Sequence, residues 1–215
     1  IGSGDKKQNI NKNLKKVCKK ISCSKNKLVL LNQIHSNKVI SLNKIPKKKP
    51  KGDALITSKN KLALGILTAD CAPILIFDPK IKIIAAIHAG WKGAYKKIIY
   101  RTVNDLKKKG SNVQDLIAVI GPCISKYKYE VKKDFLKKFT NQNKKNRRFF
   151  NFTNKKIFFS LNDYIENQLK DIGIKNVEII NIDTYSKKNN FFSYRRSLIN
   201  KHYDYGRNIS VIMIK

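Results

Sequence analysis

The chain has 215 residues and a formal net charge of +33, from 47 lysines and arginines against 14 acidic residues. A hydrophobic fraction of 41% is enough for a folded core and argues against a disordered chain. No apolar run approaches the ~20 residues that cross a bilayer, and no secretory apolar segment is evident. We therefore expect a cytoplasmic protein without membrane association.

The positive charge is spread along the whole sequence rather than gathered in one segment. The lysines occur together with many asparagines and isoleucines, which is typical of compositional drift in AT-rich coding. No aromatic–basic or zinc-finger motif accompanies them, so no specific nucleic-acid partner is expected. The four cysteines show neither paired spacing nor a secretory context, which argues against disulfides.

The first half of the chain contains one predicted helix followed by several strands. Apolar spacing predicts the helix in NINKNLKKVCKKI, and strands at 27–31 and 38–42 that pair with each other. DALIT and KLALGIL are predicted to form a hairpin around 58–60. PILIFDPKIKIIAAI is predicted to form two strands around 78–80, and a helix is predicted over 94–109, ending at Gly110.

The second half mixes helices and strands without a regular βαβ rhythm. We predict a strand in DLIAVIGPCI, a helix over 130–139 and a mobile polar loop over 140–156. Ser160 and Asp163 resemble a capping box for the next helix, and VEIINIDTY and NISVIMI are predicted strands. The predicted fold class is α/β (α+β-like), a single domain with mixed β-sheets flanked by helices.

Three residues of metal-binding types stand where predicted strands end. His35 follows LVLLNQI, Cys71 follows LGILTAD, and His88 follows IKIIAAI. A catalytic zinc ion takes three protein ligands and leaves a fourth position open, whereas structural zinc takes four. These three residues would form such a set, and the alternative is that they are unrelated buried residues.

Several neighbouring residues could serve the same site. Asp70 is a candidate general acid or base, or else a turn residue. The AGWKG turn and Lys92 would favour an anion, as would the guanidinium groups of Arg195 and Arg196. Cys123 in IGPCIS is expected to be a core residue rather than a nucleophile.

Taken together, the motifs NQIHS, GDALIT, TADCAP, IHAGWKG, IGPCI with YEV, and FFSYRR with GR resemble the YfiH-like laccase-domain family. This family is also known as multicopper polyphenol oxidase-like, purine nucleoside phosphorylase-like or peptidoglycan editing factor. The resemblance implies one laccase domain over 1–215, and we expect this sequence to lack the family's N-terminal strands. The family often has glycine after the first histidine, where this chain has Ser36.

The resemblance also implies a zinc ion held by His35, Cys71 and His88. It implies phosphorolysis of adenosine, inosine and methylthioadenosine, together with adenosine deamination. The expected partners are a purine nucleoside and phosphate, and a homodimer is possible. On residue chemistry, we assign catalytic roles to Asp70, Cys71 and His88. We assign phosphate binding to three cationic residues, Arg195, Arg196 and Lys92.

Three alternatives remain at this point. A multicopper laccase would need the histidines of several copper centres, and this chain has three, but a single copper held by two histidines and a cysteine is conceivable. A hydrolase that edits a cell-wall precursor would use Cys71 or Cys123 as nucleophile. A nucleic-acid binder driven by charge would show steeply salt-dependent binding.

Overall fold

The protein is described from a computed structural model that covers residues 4–202 and 204–215. The helices are α1 (Lys7–Lys20), α2 (Trp91–Tyr95), α3 (Ile98–Lys107), α4 (Lys133–Gln142), α5 (Leu161–Ile172) and α6 (Tyr194–Ile199). The strands are β1 (Leu28–Leu30), β2 (Val39–Ser41), β3 (Ala54–Thr57), β4 (Ala63–Thr68), β5 (Ala72–Asp78), β6 (Ile83–Ala89), β7 (Ile117–Ile120), β8 (Glu130–Val131), β9 (Phe150–Thr153), β10 (Lys156–Phe159), β11 (Asn176–Ile179) and β12 (Asn208–Met213). Short 3-10 helices span Lys25–Lys27, Val113–Asp115, Lys144–Phe149 and Lys187–Asn189.

A six-stranded mixed sheet with the order β11-β7-β5-β6-β3-β2 forms the centre of the molecule. The four inner strands are antiparallel to one another, whereas β11 and β2 run parallel to their neighbours at the two edges. The strands β5 and β6 are almost continuously apolar because both faces of the sheet are covered. The predicted turn between them is confirmed.

The molecule has three layers. Helices α2, α3 and α5 cover one face of the large sheet, where Ile83, Ala85 and Ile87 of β6 enter the larger core. A three-stranded sheet with the order β1-β4-β12 covers the other face, where Ile84 and Ala86 enter a second core. Because side chains alternate along a strand, His88 lies on the face of β6 that is turned toward the small sheet.

The chain passes from the small sheet to the large sheet twice in its first half. The first crossover joins β1 to β2 and contains His35, and the second joins β4 to β5 and contains Cys71. The predicted single domain with mixed sheets and flanking helices agrees with this architecture. The crossovers bring two of the three predicted metal ligands to the seam between the sheets.

Two strand pairings predicted from the sequence are wrong. The strand β1 pairs with β4 rather than with β2, and β3 pairs with β2 and β6 rather than with β4. Short sequence separation favours a hairpin, but here consecutive strands belong to different sheets. Burial of both faces of the large sheet determines the pairing instead.

Three boundaries in the middle of the chain also differ from prediction. The predicted helix over 94–109 is divided into α2 and α3, because Lys97 adopts a left-handed conformation with φ of 62°. The helix predicted from residue 130 begins at Lys133, after the short strand β8. The segment 140–156 is not a mobile loop, since it contains the end of α4, a 3-10 helix and β9.

The segment 140–156 is ordered by an aromatic cluster. Phe135 and Phe139 of α4 stack with ring centroids 4.7 Å apart, and both contact Phe150 and Phe159 of the adjoining hairpin. Buried rings of this kind stabilise the hairpin by burial and by edge-to-face contacts. The polar residues between them hide this pattern in the sequence.

Two helical predictions, for α5 and for the N-terminal helix α1, are confirmed. The Ser160 side chain accepts a hydrogen bond from the Asp163 backbone amide, which caps α5 as predicted. The predicted N-terminal helix is α1. Among the described residues, no helix is both long enough and apolar enough to cross a bilayer.

Candidate metal centre

His35, Cys71 and His88 come together at the seam between the two sheets. Their potential ligand atoms all lie within 4.8 Å of one another. The His35 Nε2 atom is 3.8 Å from the Cys71 sulfur, and the two imidazole rings meet edge to face with centroids 4.7 Å apart. His88 is buried, Cys71 is partly exposed and His35 is exposed. The cluster is therefore anchored in the core and open on one side.

Backbone conformation at the two crossovers aims the ligands at each other. His35 has φ of 55° and Asp70 has φ of 84°, both in the left-handed region that non-glycine residues rarely adopt. Each lies at or beside a predicted ligand. Conformations of this kind persist where surrounding contacts determine them and concentrate at functional sites.

The buried carboxylate of Asp53 holds both histidines. The backbone amides of Ile34, His35 and Ser36 donate to its two oxygens over distances of 2.7 to 3.3 Å. The His88 Nδ1 atom lies 2.9 Å from Asp53 Oδ1. Because Nδ1 of His88 is engaged, its Nε2 atom is the one available to a metal, as in carboxylate–histidine–metal arrangements.

The electrostatics of the cluster favour a thiolate. Burial raises the pKa of the Cys71 thiol, but the charge of His88 and the contact with His35 outweigh burial and lower it to about 6. Burial lowers the pKa of His88, but Cys71 and the bond to Asp53 raise it to about 9. Burial raises the pKa of Asp53, whereas its bonds to His88 and Ser36 bring it down to about 2.

Gly90 leaves room for the cluster. A methyl group at this position would lie 2.7 Å from the Cys71 sulfur and 3.2 Å from Cδ2 of His35. A side chain would therefore push the thiol and the ring apart. Gly90 precedes α2, so the AGWKG turn packs closely against Cys71 and His35. Its predicted role in anion binding stays a prediction.

A cavity of about 480 Å³ opens beside the three ligands. Its described lining residues are Leu31, Asn32, Gln33, His35, Lys49, Leu67, Thr68, Ala69, Cys71, His88, Tyr205 and Arg207. The small sheet, the large sheet and the segment before β12 all contribute to the wall. A pocket of this size admits a drug-sized molecule beside the metal cluster.

Asp70 is buried, and its carboxylate is not part of the cavity lining. One oxygen accepts a hydrogen bond from the Thr184 hydroxyl at 2.7 Å. The other accepts bonds from the Ser193 hydroxyl and from the Arg195 backbone amide, at 2.9 and 2.6 Å. Asp70 thus ties the Cys71 turn to the beginning of α6. Its predicted proton-transfer role remains a prediction.

The three cationic residues predicted to bind phosphate also lie outside this lining. Arg196 donates to the carbonyls of Thr184, Tyr185 and Phe191. Arg195 donates to the Glu130 carbonyl at 2.9 Å, and its guanidinium lies over the Tyr129 ring. Lys92 is exposed and lies over the Trp91 ring.

Cys123 behaves as the core residue that was predicted. It is buried, its thiol donates to the Asn162 side-chain oxygen at 2.8 Å, and burial raises its pKa well above the ordinary value. A thiol of this kind is a poor nucleophile.

Comparison with known proteins identifies the family. The family model described as multi-copper polyphenol oxidoreductase laccase matches residues 1–215. The chain belongs to the YfiH-like laccase-domain family. A Rickettsia conorii protein named purine nucleoside phosphorylase is 37% identical over 172 residues, which cover 79% of this chain and 71% of the relative. An Aquifex aeolicus protein of the same name is 38% identical over 155 residues, covering 71% of this chain and 69% of the relative.

Solved structures of family members share this fold. The crystal structure of the Bacillus licheniformis hypothetical protein YfiH superposes with a TM-score of 0.91 at 26% identity, covering 100% of this chain and 84% of that one. A Neisseria meningitidis protein superposes with a TM-score of 0.87 at 26% identity, covering 100% and 85% of the two chains. The mixed α/β architecture described above is thus the architecture of this laccase-domain family.

The donor set of this YfiH-like chain suits zinc. Zinc takes imidazole nitrogen at about 2.0 Å and thiolate sulfur at about 2.3 Å, so two such ligands in a tetrahedron are about 3.5 Å apart. The nitrogen of His35 and the sulfur of Cys71 are 3.8 Å apart, close to that requirement. The lowered pKa of Cys71 supplies the thiolate that a metal needs.

Three residues of the centre were not predicted from the sequence. Asp53 stands in a Gly-Asp pair before the apolar run of β3, and it is one of only 14 acidic residues in a strongly basic chain. That scarcity, and the GDALIT motif that contains Asp53, were the available signals. Tyr205 and Arg207 lie in the YGR segment before β12, which was noted only as part of a family motif.

Proposed function

We propose that the protein is a zinc-dependent purine nucleoside phosphorylase that also deaminates adenosine. The observation that carries this proposal is the His35–Cys71–His88 cluster, which opens on the 480 Å³ cavity. The names of the Rickettsia and Aquifex relatives support the reaction class. The proposed substrates are adenosine, inosine and methylthioadenosine, with phosphate as the second reactant.

The two proposed reactions break different bonds of the same substrate class. In phosphorolysis, a phosphate oxygen forms a bond to ribose C1′ while the bond from C1′ to the purine nitrogen breaks, giving the free base and a ribose phosphate. In deamination, a water oxygen replaces the adenine amino group, which leaves as ammonia. A bound zinc ion would supply Lewis-acid polarisation of a substrate or water oxygen.

The chain's own residues orient the reactants. Asp53 accepts a bond from the His35 backbone amide and is bonded to the His88 ring nitrogen Nδ1, which favours donor atoms that are already in position when a ligand binds. Cys71 and His88 act as metal ligands in this proposal. Asp70 stays a predicted proton carrier, and its carboxylate accepts hydrogen bonds from Thr184, Ser193 and Arg195.

A nucleoside panel tests the proposal. The zinc-loaded protein is incubated with adenosine, inosine and methylthioadenosine, with and without phosphate, and free bases and deaminated product are separated by chromatography. We expect free base only when phosphate is present, and inosine from adenosine in both conditions. If no nucleoside is consumed in either condition, the proposed function is wrong.

Zinc dependence is tested with matched cysteine variants. Cys71→Ala removes a proposed ligand, whereas Cys23→Ala changes a partly exposed cysteine outside the cluster. We expect Cys71→Ala to lose stoichiometric zinc and nucleoside turnover, and Cys23→Ala to keep both. Unchanged zinc content in Cys71→Ala would exclude the proposed site.

The alternatives make opposite predictions. A blue-copper centre uses two histidines and a cysteine with a weak axial ligand, commonly methionine. The single methionine, Met213, is not among the described cavity-lining residues, and the Gln33 amide is bonded to the backbone of Leu67. Copper loading without a thiolate absorption band would exclude this alternative.

A hydrolase with Cys71 as nucleophile would keep its activity after zinc removal and lose it on thiol alkylation. A charge-driven nucleic-acid binder would turn over no nucleoside. The cytoplasmic location and the homodimer stay predictions.

A further inference from the structure

The charged side chains that line the cavity beside His35, Cys71 and His88 are of one sign. Among the described residues that line it, Arg207 and Lys49 are cationic and none is acidic. Only 14 of the 215 residues are acidic, but two of them, Asp53 and Asp70, lie just behind the cluster and point their carboxylates into the protein. The solvent-accessible wall therefore favours an anion next to the metal.

Arg207 is held in a fixed orientation. Its guanidinium carbon lies 3.7 Å from the centroid of the Tyr205 ring, and that ring packs on Tyr194 with centroids 5.1 Å apart. The Nη1 atom of Arg207 donates to the carbonyls of Tyr205 and Gly206. A guanidinium is planar in itself, and stacking on an aromatic ring fixes the orientation of that plane, which suits binding of phosphate oxygens.

The backbone that carries Arg207 is also closely packed. A methyl group at Gly206 would lie 2.5 Å from two carbon atoms of the Phe192 ring. The Asn208 side chain bonds both the amide and the carbonyl of Phe192, at 2.9 Å each. The segment before β12 is thus attached to the segment before α6, and the guanidinium is placed by packing rather than by the side chain alone.

Lys49 complements Arg207 from a different part of the chain. It lies in the lysine-rich loop between β2 and β3 and is exposed, so its ammonium group can move. The ammonium group of Lys49 can follow a phosphate as a mobile charge, whereas the planar guanidinium of Arg207 offers donors in a fixed direction.

We propose that Arg207 and Lys49 form the phosphate-binding subsite of this cavity. The inference rests on the proposed phosphorylase function and deepens it, because it assigns inorganic phosphate to a particular wall. Neither Arg195 nor Arg196 lines the cavity, whereas Arg207 and Lys49 do. The subsite therefore differs from the arginine pair that the sequence suggested.

Steady-state kinetics with varied phosphate tests this subsite. The variants are Arg207→Met, Arg207→Lys and Lys49→Met in the zinc-loaded protein, with the exposed Arg101→Met of α3 as a charge-matched control. We expect Arg207→Met to raise the KM for phosphate about 10- to 100-fold, the effect of losing a charged hydrogen bond, with little change in the KM for nucleoside. Arg207→Lys and Lys49→Met should give smaller increases, and Arg101→Met none.

Direct binding separates this inference from the proposed reaction. Titration calorimetry with inorganic phosphate requires no turnover, so Arg207-dependent binding without nucleoside consumption would support the subsite while the phosphorylase proposal fails. A parallel titration with adenosine 5′-monophosphate tests whether the subsite instead binds a phosphate group that is part of a nucleotide. If the Arg207 variants weaken only the nucleotide, the assignment to inorganic phosphate is overturned.

Two further results would overturn the subsite. One is an unchanged phosphate KM in both Arg207→Met and Lys49→Met. The other is a raised phosphate KM in Arg195→Lys or Arg196→Lys while the Arg207 variants match the parent. Lys49 is in an exposed loop, so its variant remains informative if Arg207→Met fails to fold.

Discussion

Asp53 contacts both histidines of the metal cluster, one through consecutive backbone amides and the other through a ring nitrogen. A single buried carboxylate thereby sets the conformation of the first crossover and the tautomer of His88. Three amides around one carboxylate form an anion-binding nest, which compensates for the cost of burying the charge.

Asp53→Asn should weaken the metal centre. The amide cannot accept bonds as a charged group, and it leaves His88 without its carboxylate partner. We expect metal affinity to fall about 10- to 100-fold in chelator competition. The matched control is Asp105→Asn, on α3, where the carboxylate lies 3.9 Å from the nitrogen of Lys108. This variant should bind metal as the parent does. Equal affinity in both variants would exclude the proposed role of Asp53.

The same carboxylate predicts a pH dependence of stability. The pKa of Asp53 is lowered from 3.8 to about 2, so its contribution is complete above pH 3.8 and is lost as the pH falls toward 2. A shift of this size corresponds to roughly 2 kcal/mol. The free energy of unfolding is measured by denaturant in the presence of a chelator, for the parent and for Asp53→Asn. The difference between the two proteins should become smaller as the pH falls across this range. A constant difference would contradict the linkage.

Cys71 should react as a thiolate near neutral pH. After zinc removal by a chelator, its pKa of about 6 predicts alkylation by iodoacetamide with a midpoint near that pH, well below that of an ordinary cysteine. Peptide mapping identifies the modified residue, and Cys123 serves as the buried internal control. A midpoint near 8.5 would show that His88 does not stabilise the thiolate.

The sequence is informative about the ligands and much less so about what orients them. His35, Cys71 and His88 are rare residue types at the ends of apolar runs, and the family motifs around them predict that they come together. Asp53 lies 18 residues from His35 and 35 residues from His88, so no local pattern connects it to either. The contacts of Arg196 are hidden in the same way, because the backbone carbonyls that accept its hydrogen bonds cannot be read from the sequence.

At the scale of helices and strands, the predictions that succeed rest on short stretches of neighbouring residues. The cap of α5 and the turn between β5 and β6 depend on a few neighbouring residues, and the structure confirms both. The wrong hairpins involve strands that are adjacent in sequence but belong to different sheets. Sheet membership depends on which faces are buried by distant segments, such as β12 against β4.

Ser160→Ala should destabilise the protein without touching the metal centre. The Ser160 hydroxyl accepts the Asp163 amide at the beginning of α5, and loss of such a cap costs about 1 kcal/mol. Denaturant unfolding should show this loss, while zinc content stays at the parent level. Ser160→Asp preserves a cap and is the matched control. A stability loss as large in the aspartate variant would contradict the capping explanation.

At the scale of the whole molecule, the net charge of +33 acts mainly through self-repulsion. The ion pairs found among the described residues are few, and most join exposed side chains. Such pairs contribute little, so they cannot offset the excess of lysine. The charge therefore bears on stability and solubility rather than on fold.

Raising the ionic strength should raise the Tm. Between about 10 mM and 100 mM salt, the Debye length falls from about 30 to about 10 Å and screens repulsion between lysines. We expect an increase of a few degrees in calorimetry, where about 1 kcal/mol corresponds to 2–4 °C for a chain of this size. Sodium chloride and tetramethylammonium chloride should act alike, since screening depends on ionic strength. A flat or falling Tm would contradict repulsion as the dominant effect.

The two crossovers also have a mechanical consequence. Among the described residues, the strands of the small and large sheets contact one another through side chains and do not pair across the two sheets. His35 and Cys71 lie on two of the segments that pass between these sheets, the one from β1 to β2 and the one from β4 to β5, and His88 lies on the large sheet itself. A metal ion bound to all three residues would connect the two sheets and prevent one sheet from sliding over the other. The ion that prepares the cavity for chemistry would thus also fix the distance between its walls.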